Sequence, residues 1–238
     1  MCEIAISTFE SDYLGVKIGR ASVSETTDFL LIPEVAKKEN FNIVRVESPH
    51  LTSLPGYTYI RSINDYRHTY HSGIHPVDLH VEKIDTVEQA DFFEQAIREN
   101  YLVDSLGYIK SPIVQQRFPS ITALREAKCY AAYFRNFFTP SNDTKGALLF
   151  YKQKDCVGGY SYEVIGEGVH TSVALVLNPF RKSGYFKQYH DYRENLFFKA
   201  GVKFGYHGGR VNNIDVNDFY RRERHELIGS RHIYVLAL

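Results

Sequence analysis

Tryptophan is absent from the 238 residues, and cysteine is scarce: Cys2, Cys129 and Cys156. Three is an odd number, no CxxC pair occurs, and the spacings are wide. This argues against a disulfide framework and against a structural zinc site. No sign of charge is in excess. Lys plus Arg and Asp plus Glu stand at 28 each, so no global field favours nucleic acid or an anionic membrane. Any anion must be held by a local site. No apolar run approaches transmembrane length. The opening "MCEIAISTFESDY" has no basic segment followed by an apolar run, so no signal peptide is expected. The expectation is a cytoplasmic protein with neither nucleic acid nor membrane as partner.

What is present is the profile of a soluble globular chain, 44% hydrophobic and 24% charged. The length suits one large domain or two small ones. The 18 tyrosines and 16 phenylalanines are expected mostly in the core. Some should line a cleft, where a tyrosine offers a flat apolar body and a polar tip.

Residues 1–75 read as a small mixed α/β unit. "EIAISTF" and the run from Val16 are strand candidates. "TDFLLIPEVAKKEN" reads as a helix capped by Thr27 or Asp28, with Pro33 in its first turn or bending it. "FNIVRVES" and "YTYIRSINDYRHTY" read as extended. Gly73 and Pro76 then mark a break, placing a domain boundary near 75/76.

Residues 76–238 open with a helix, "DTVEQADFFEQAIRENY", capped by Asp85 or Thr86 with Glu88 in its first turn. A longer helix, "PSITALREAKCYAAYFRNFF", follows. "GALLFYKQ", "GGYSYEVIGEG" and "TSVALVLNP" are strand candidates joined by "KD" and "GEG", which predicts antiparallel hairpins. Next come the basic turn "NPFRKSGYF" and the helix "YFKQYHDYRENLFFKAG", with Gly201 to end it. "VKFGYHGGRV", a short helix near Asp215 and "RHIYVLAL" complete the order. The class is α+β, with a crossover that should make two strands parallel.

These pieces resemble the GNAT superfamily of acyl-CoA-dependent N-acyltransferases. "VALVLNPFRKSGYF" is similar to that superfamily's strand and Arg-x-x-Gly-x-Gly/Ala pyrophosphate loop, with Phe186 in place of the last small residue. "NIDVNDFY" is similar to its Asn-x-x-Ala-x-x-x-Tyr segment, with Asn213, Val216 and Tyr220 in the matching places. Arg224-His225 stands where a Gly-Phe pair is usual. The N-terminal "FESDYLGVKIGR" resembles the opening of the dTDP-fucosamine acetyltransferase family and its nucleotide-amino-sugar relatives. In those relatives this part is a degenerate half-GNAT unit packed on the catalytic one.

The resemblance implies a GNAT fold preceded by a smaller half-GNAT-like unit, acting as a sugar N-acyltransferase. Acyl-CoA would be the co-substrate, without metal, and a dTDP-linked amino-dideoxy sugar the acceptor, for surface polysaccharide synthesis. The alternatives are a GNAT enzyme for another amine and a non-catalytic CoA-binding module. A homodimer is in keeping with such folds.

The resemblance also implies roles. Arg181, Lys182, Ser183, Gly184 and Tyr185 would cradle the pyrophosphate, where helix N-terminal amides and dipole favour an anion. Val176 and Leu177 belong to the Val173–Leu177 stretch whose backbone N–H would meet the oxyanion, and Asn213 would touch the CoA arm. Tyr220 would protonate the thiolate. Tyr13, Lys17, Tyr133 and Arg135 would wall the acceptor pocket. Glu163, His170 and His207 are the candidates for a base, and a sugar amine, which loses its proton more readily than lysine does, does not require one. The bland alternatives are an ordinary polar turn, a core tyrosine and a helix-capping asparagine. "HTYHSGIHPVDLH" sets His68, His71, His75 and His80 within thirteen residues. Four imidazoles could ligate zinc, but no motif such as HExxH accompanies them, and no metal is expected.

Overall fold

The computed structural model describes residues 3–71, 74–100, 106–135, 137 and 144–238. Cys2, Gly73, Tyr101, Asn136 and Phe138, named in the readings above, lie outside the described residues. The strands are β1 (Ala5–Ile6), β2 (Ile18–Ser22), β3 (Ile43–Ser48), β4 (Tyr57–Thr69), β5 (His80–Lys83), β6 (Lys145–Lys152), β7 (Asp155–Ile165), β8 (Gly168–Val176), β9 (Phe204–Arg210) and β10 (Glu226–Ala237). The helices are α1 (Thr8–Leu14), α2 (Ile32–Lys38), α3 (Val87–Asn100), α4 (Pro112–Arg117), α5 (Ala123–Arg135), α6 (Tyr185–Lys199) and α7 (Ile214–Arg222).

The α+β class is as the sequence implied. The ten strands of the described residues share one sheet, in the order β1-β2-β3-β10-β4-β9-β8-β7-β6-β5. β10 lies between β3 and β4 and is antiparallel to both. Strands from either side of position 75/76 are therefore directly paired.

The local rules explain most elements. β6–β7 and β7–β8 are antiparallel hairpins closed by two-residue loops: Lys152 pairs with Asp155, and Ile165 with Gly168. Gln153 and Gly166 supply the positive φ these loops need. Thr86 caps α3 by accepting the Gln89 N–H at 3.2 Å. Gln89, rather than Glu88, returns the bond to the Thr86 N–H. Gly201, at φ +76°, ends α6.

Three readings change. "EIAISTF" is a strand only over Ala5–Ile6. From Thr8 the chain is α1, because Phe9 and Tyr13 fall four apart and pack on one apolar cluster, while Gly15 at φ +72° closes the C-terminus. "TDFLLIPEV" splits into a 3-10 turn, Thr26–Leu30, and α2, with Glu25 capping the turn and Pro33 in the first turn of α2. α4 is an additional helix, with Ser111 as its N-cap and Pro112 at its first position.

The core lies on both faces of the sheet, following the two-residue period of its strands. Ala147, Leu149, Val173 and Leu175 pack against α3 and α5. Leu148, Phe150, Ala174 and Val176 belong to the cluster beneath α6. Leu14, Ile18, Ile43 and Cys129 form a third cluster under α1, α4 and α5. Among the described residues no helix is long and apolar enough to cross a membrane.

Candidate active site

The site begins with a strand that leaves its neighbour. β8 pairs with β7 along Gly168–Val176 but with β9 only over Gly168–His170, and this pairing is parallel, as the crossover through α6 predicts. The cause is local. The β7–β8 register skips Ser172, with Thr171 opposite Tyr162 and Val173 opposite Ser161. One extra residue on one strand is a bulge, and a bulge bends the strand that carries it. β8 therefore swings away from β9 just past His170, while β9 stays paired with β4 as far as Arg210.

The bend frees one edge of β8. Val173 N–H bonds to Ser161 Oγ at 3.1 Å and Leu177 N–H to Val157 O at 2.9 Å, both on the β7 side. Strand alternation turns the N–H groups of Ala174 and Val176 to the opposite edge, which β9 has vacated. After β8, Asn178–Phe180 form a 3-10 turn. Lys182 (φ +65°) and Gly184 (φ +80°) then bend the chain into α6. An added Cβ at Gly184 would meet nothing within 4 Å, so glycine serves the left-handed backbone here rather than a tight fit. The first intrahelical bonds of α6 run from Lys187 and Gln188 N–H to Gly184 O. The amides of Gly184, Tyr185 and Phe186 are left at the positive end of a 15-residue helix.

Two cavities meet here. The larger, about 1270 Å³, lies along Val176, Arg181, Lys182, Gly184, Tyr185 and Lys187 and reaches α7. The smaller, about 340 Å³, occupies the opening between Thr171–Ala174 of β8 and Gly208–Arg210 of β9. Ala174, Phe186, Asn213 and Val216 border both. Tyr220, only 4% exposed, lines the smaller one. Phe186 turns inward onto Phe219, with ring centroids 4.9 Å apart, and stands 6.3 Å from Tyr220. A large residue at the start of α6 is thus housed between α6 and α7 rather than across the loop.

The smaller cavity is strongly basic. Arg45, Arg61, Arg210 and Arg231 line it, and no acidic side chain is among the described residues that do. Behind them, Arg231 grips Asp65 with two bonds, 2.7 and 2.9 Å, and Glu47 with one of 2.9 Å. Arg45 lies 3.3 Å from Glu47. Burial works to raise the Glu47 carboxyl, but Arg45 and Arg231 outweigh it and hold it below the usual range. Burial, then Arg45, lowers the Arg61 guanidinium from its ordinary value.

No protein-family model and no curated protein matches the sequence. Solved structures match in fold. A functionally unknown conserved protein from Staphylococcus epidermidis ATCC 12228 superposes with a TM-score of 0.62 at 11% identity, over 94% of this chain and 85% of that one. For a GCN5-related N-acetyltransferase from Kribbella flavida the TM-score is 0.56 at 13% identity, over 92% and 80%. A tandem GNAT protein from the clavulanic acid biosynthesis pathway gives 0.51 at 10%, over 94% and 76%. The chain has the GNAT fold.

Within that fold, the structure gathers some of the sequence-derived residues and scatters others. Val176, Arg181, Lys182, Gly184, Tyr185 and Asn213 border the larger cavity, whereas Leu177 and Ser183 do not. Arg181 also bonds to Asn100 Oδ1 at 2.8 Å. Asn213 caps α7 as well, accepting the Val216 N–H at 3.3 Å. Tyr13, Lys17, Tyr133 and Arg135 line neither cavity. Lys17 bonds to Glu39 O and lies over the Phe41 ring, Arg135 is paired with Asp91 and Glu94, and Phe9 packs against both Tyr13 and Tyr133. Of the candidate bases, Glu163 pairs with Lys145 at 3.0 Å. His170 stacks on Tyr206, and burial lowers its pKa. His207 is buried against Thr171 and Arg193. The four arginines of the smaller cavity had no signal in the sequence, because they come from β3, β4, β9 and β10.

Proposed function

We propose that this chain is an acyl-CoA-dependent N-acyltransferase whose amine acceptor carries an anionic group. The acceptor carried forward from the sequence resemblance is a dTDP-linked amino-dideoxy sugar. The observation behind the reading is the junction of two cavities at Ala174, Phe186, Asn213 and Val216, one beside a helix N-terminus and the other lined by four arginines.

The larger cavity fits the acyl donor. Free amides at the start of α6, with Lys182 and Arg181 beside them, suit a pyrophosphate. The vacated edge of β8 offers the N–H groups of Ala174 and Val176 to a linear, amide-bearing arm in the way a sheet edge receives an extra strand. When bound, the donor supplies an activated thioester carbonyl. The same β8 N–H groups can then donate to that oxygen as charge gathers on it. Tyr220 borders the junction and can give a phenolic proton to a departing thiolate. The reading asks no base of Glu163 or His170: the acceptor amine arrives neutral, and the proton its nitrogen sheds after attack replaces the one Tyr220 gives to the thiolate. Cationic walls in the smaller cavity suit a diphosphate, which guanidinium groups bind with two parallel hydrogen bonds. They also suit a carboxylate-bearing amine such as an amino acid, which is the second reading.

A thiol-release assay decides between these. Acetyl-CoA and longer acyl-CoAs are offered with dTDP-amino sugars and with free amino acids. Release with a dTDP-amino sugar is expected. Release with amino acids alone would remove the sugar and keep the acyltransferase. No release with any pair would sink the reading.

A further inference from the structure

Next to Tyr220 lies a buried cluster that the acyltransfer reading does not use. His68 on β4, His190 on α6 and His225 after α7 are 8%, 4% and 7% exposed. One ring nitrogen from each lies within 4.8 Å of the other two. The end of α7 brings His225 inward. Arg224 takes the left-handed conformation, φ +59°, and His225 N–H bonds back to Tyr220 O at 2.9 Å. Arg224 thus stands where glycine fits best, and His225 turns to the interior. Its ring stacks on Tyr220 on one hand and on His68 on the other, at centroid distances of 4.9 and 4.4 Å.

Proton counting shows that these imidazoles do not satisfy one another. A neutral imidazole has one N–H and one lone pair. His190 Nε2 and His225 Nε2 stand 2.8 Å apart, which requires a single proton between them. One of the two Nδ1 atoms then carries a hydrogen and the other a lone pair. Both Nδ1 atoms are buried without a hydrogen bond. Leaving buried polar groups unpaired is costly.

The geometry points to a divalent metal site of zinc type at His68, His190 and His225, with Glu194 as the adjoining carboxylate. An ion would take the lone pairs of both Nε2 atoms and move both protons to Nδ1. His190 Nδ1 lies 3.9 Å from Asp191 Oδ1 and 3.9 Å from Glu194 Oε2, the type of carboxylate neighbour that ligating histidines use to fix their tautomer. Glu194 Oε1 is 3.3 Å from His68 Nε2, and its Oε2 is 3.1 Å from His75 Nε2. The two carboxylates offset the ion's charge, and the buried cation of the same helix, Arg193, is engaged by His207 at 3.1 Å. Imidazole nitrogens with a carboxylate match zinc and its neighbours rather than magnesium or calcium. The ligands come from three separate elements and are buried. The site is therefore structural: it ties β4, α6 and the end of α7 together and holds the ring on which Tyr220 rests.

Tag-free protein stripped with a chelator and titrated with Co²⁺ alone tests this. The expected result is one equivalent bound per chain with visible ligand-field absorption. His225→Asn should weaken that binding by about a hundredfold or more, and Glu194→Gln by about ten- to a hundredfold. His80→Asn should leave it unchanged, since that exposed ring pairs with Glu82 and lies against Tyr151, outside the cluster. Should His225→Asn fail to fold, the wild-type melting temperature decides, and it should rise when one equivalent of Zn²⁺ is added. Absence of Co²⁺ uptake by the wild type would overturn the site. So would wild-type affinity in a folded His225→Asn protein, loss of binding in His80→Asn, or a melting temperature indifferent to Zn²⁺.

Discussion

Tyr220→Phe is expected to lower turnover by about a hundredfold or more while leaving CoA affinity unchanged. The size follows from the chemistry asked of the phenol. A thiolate whose conjugate acid has a pKa near about 8.5 leaves faster when a proton reaches it in the transition state. The selectivity follows from packing. The Tyr220 ring lies against Tyr66 at 4.9 Å, His225 at 4.9 Å and His207 at 5.4 Å. Phenylalanine keeps these contacts and removes only the hydroxyl. Steady-state thiol release paired with a CoA titration measures both parts. Unchanged turnover would remove Tyr220 as the proton donor. A matching loss of CoA affinity would recast it as a binding residue.

Arg61→Ala should cost about ten- to a hundredfold in kcat/KM for an anionic acceptor, from the loss of about 1.5–3 kcal/mol in hydrogen bonding to a charged group. The donor KM should not change, because Arg61 borders the smaller cavity and not the larger. Arg231 is not the choice, because its removal would also strand Asp65 and cost Glu47 one of its two arginines. The check is a pair of acceptors, one bearing the anion and one neutral, under otherwise identical kinetics. An equal loss with both would mean that the substitution disturbs the site generally and that the cavity does not read charge.

The parts of the molecule legible in the sequence are those whose signals are local. The β6–β7–β8 hairpins, α6 with Gly201 behind it, and the "RKSG" turn each carry their own period, cap or turn residue. α1 escaped because it is a seven-residue helix entered directly from a strand-like run. Phe186 looked like an obstacle at the start of α6, yet its ring turns onto Phe219, a contact no local pattern encodes.

Longer-range features were hidden for a physical reason. The insertion of β10 between β3 and β4 brings Arg45, Arg61 and Arg231 to one cavity, and nothing in the three strand sequences announces that pairing. The histidines show the same limit. The eye is drawn to the run from His68 to His80, but only His68 of that run joins the triad, and its partners come from α6 and the end of α7. Tyr13, Lys17, Tyr133 and Arg135 rest on resemblance, and each has contacts outside the two cavities.

In the proposed reading, the cleft opened by the bulge at Ser172, beside the N-terminus of α6, holds coenzyme A. Isothermal titration of the protein with CoA tests it most directly. One CoA bound per chain is expected, with affinity weakened about tenfold or more when Arg181 and Lys182 are both replaced by alanine. Absence of binding heat with CoA and with every acyl-CoA, at concentrations up to about millimolar, would contradict it. So would binding that is indifferent to the double replacement.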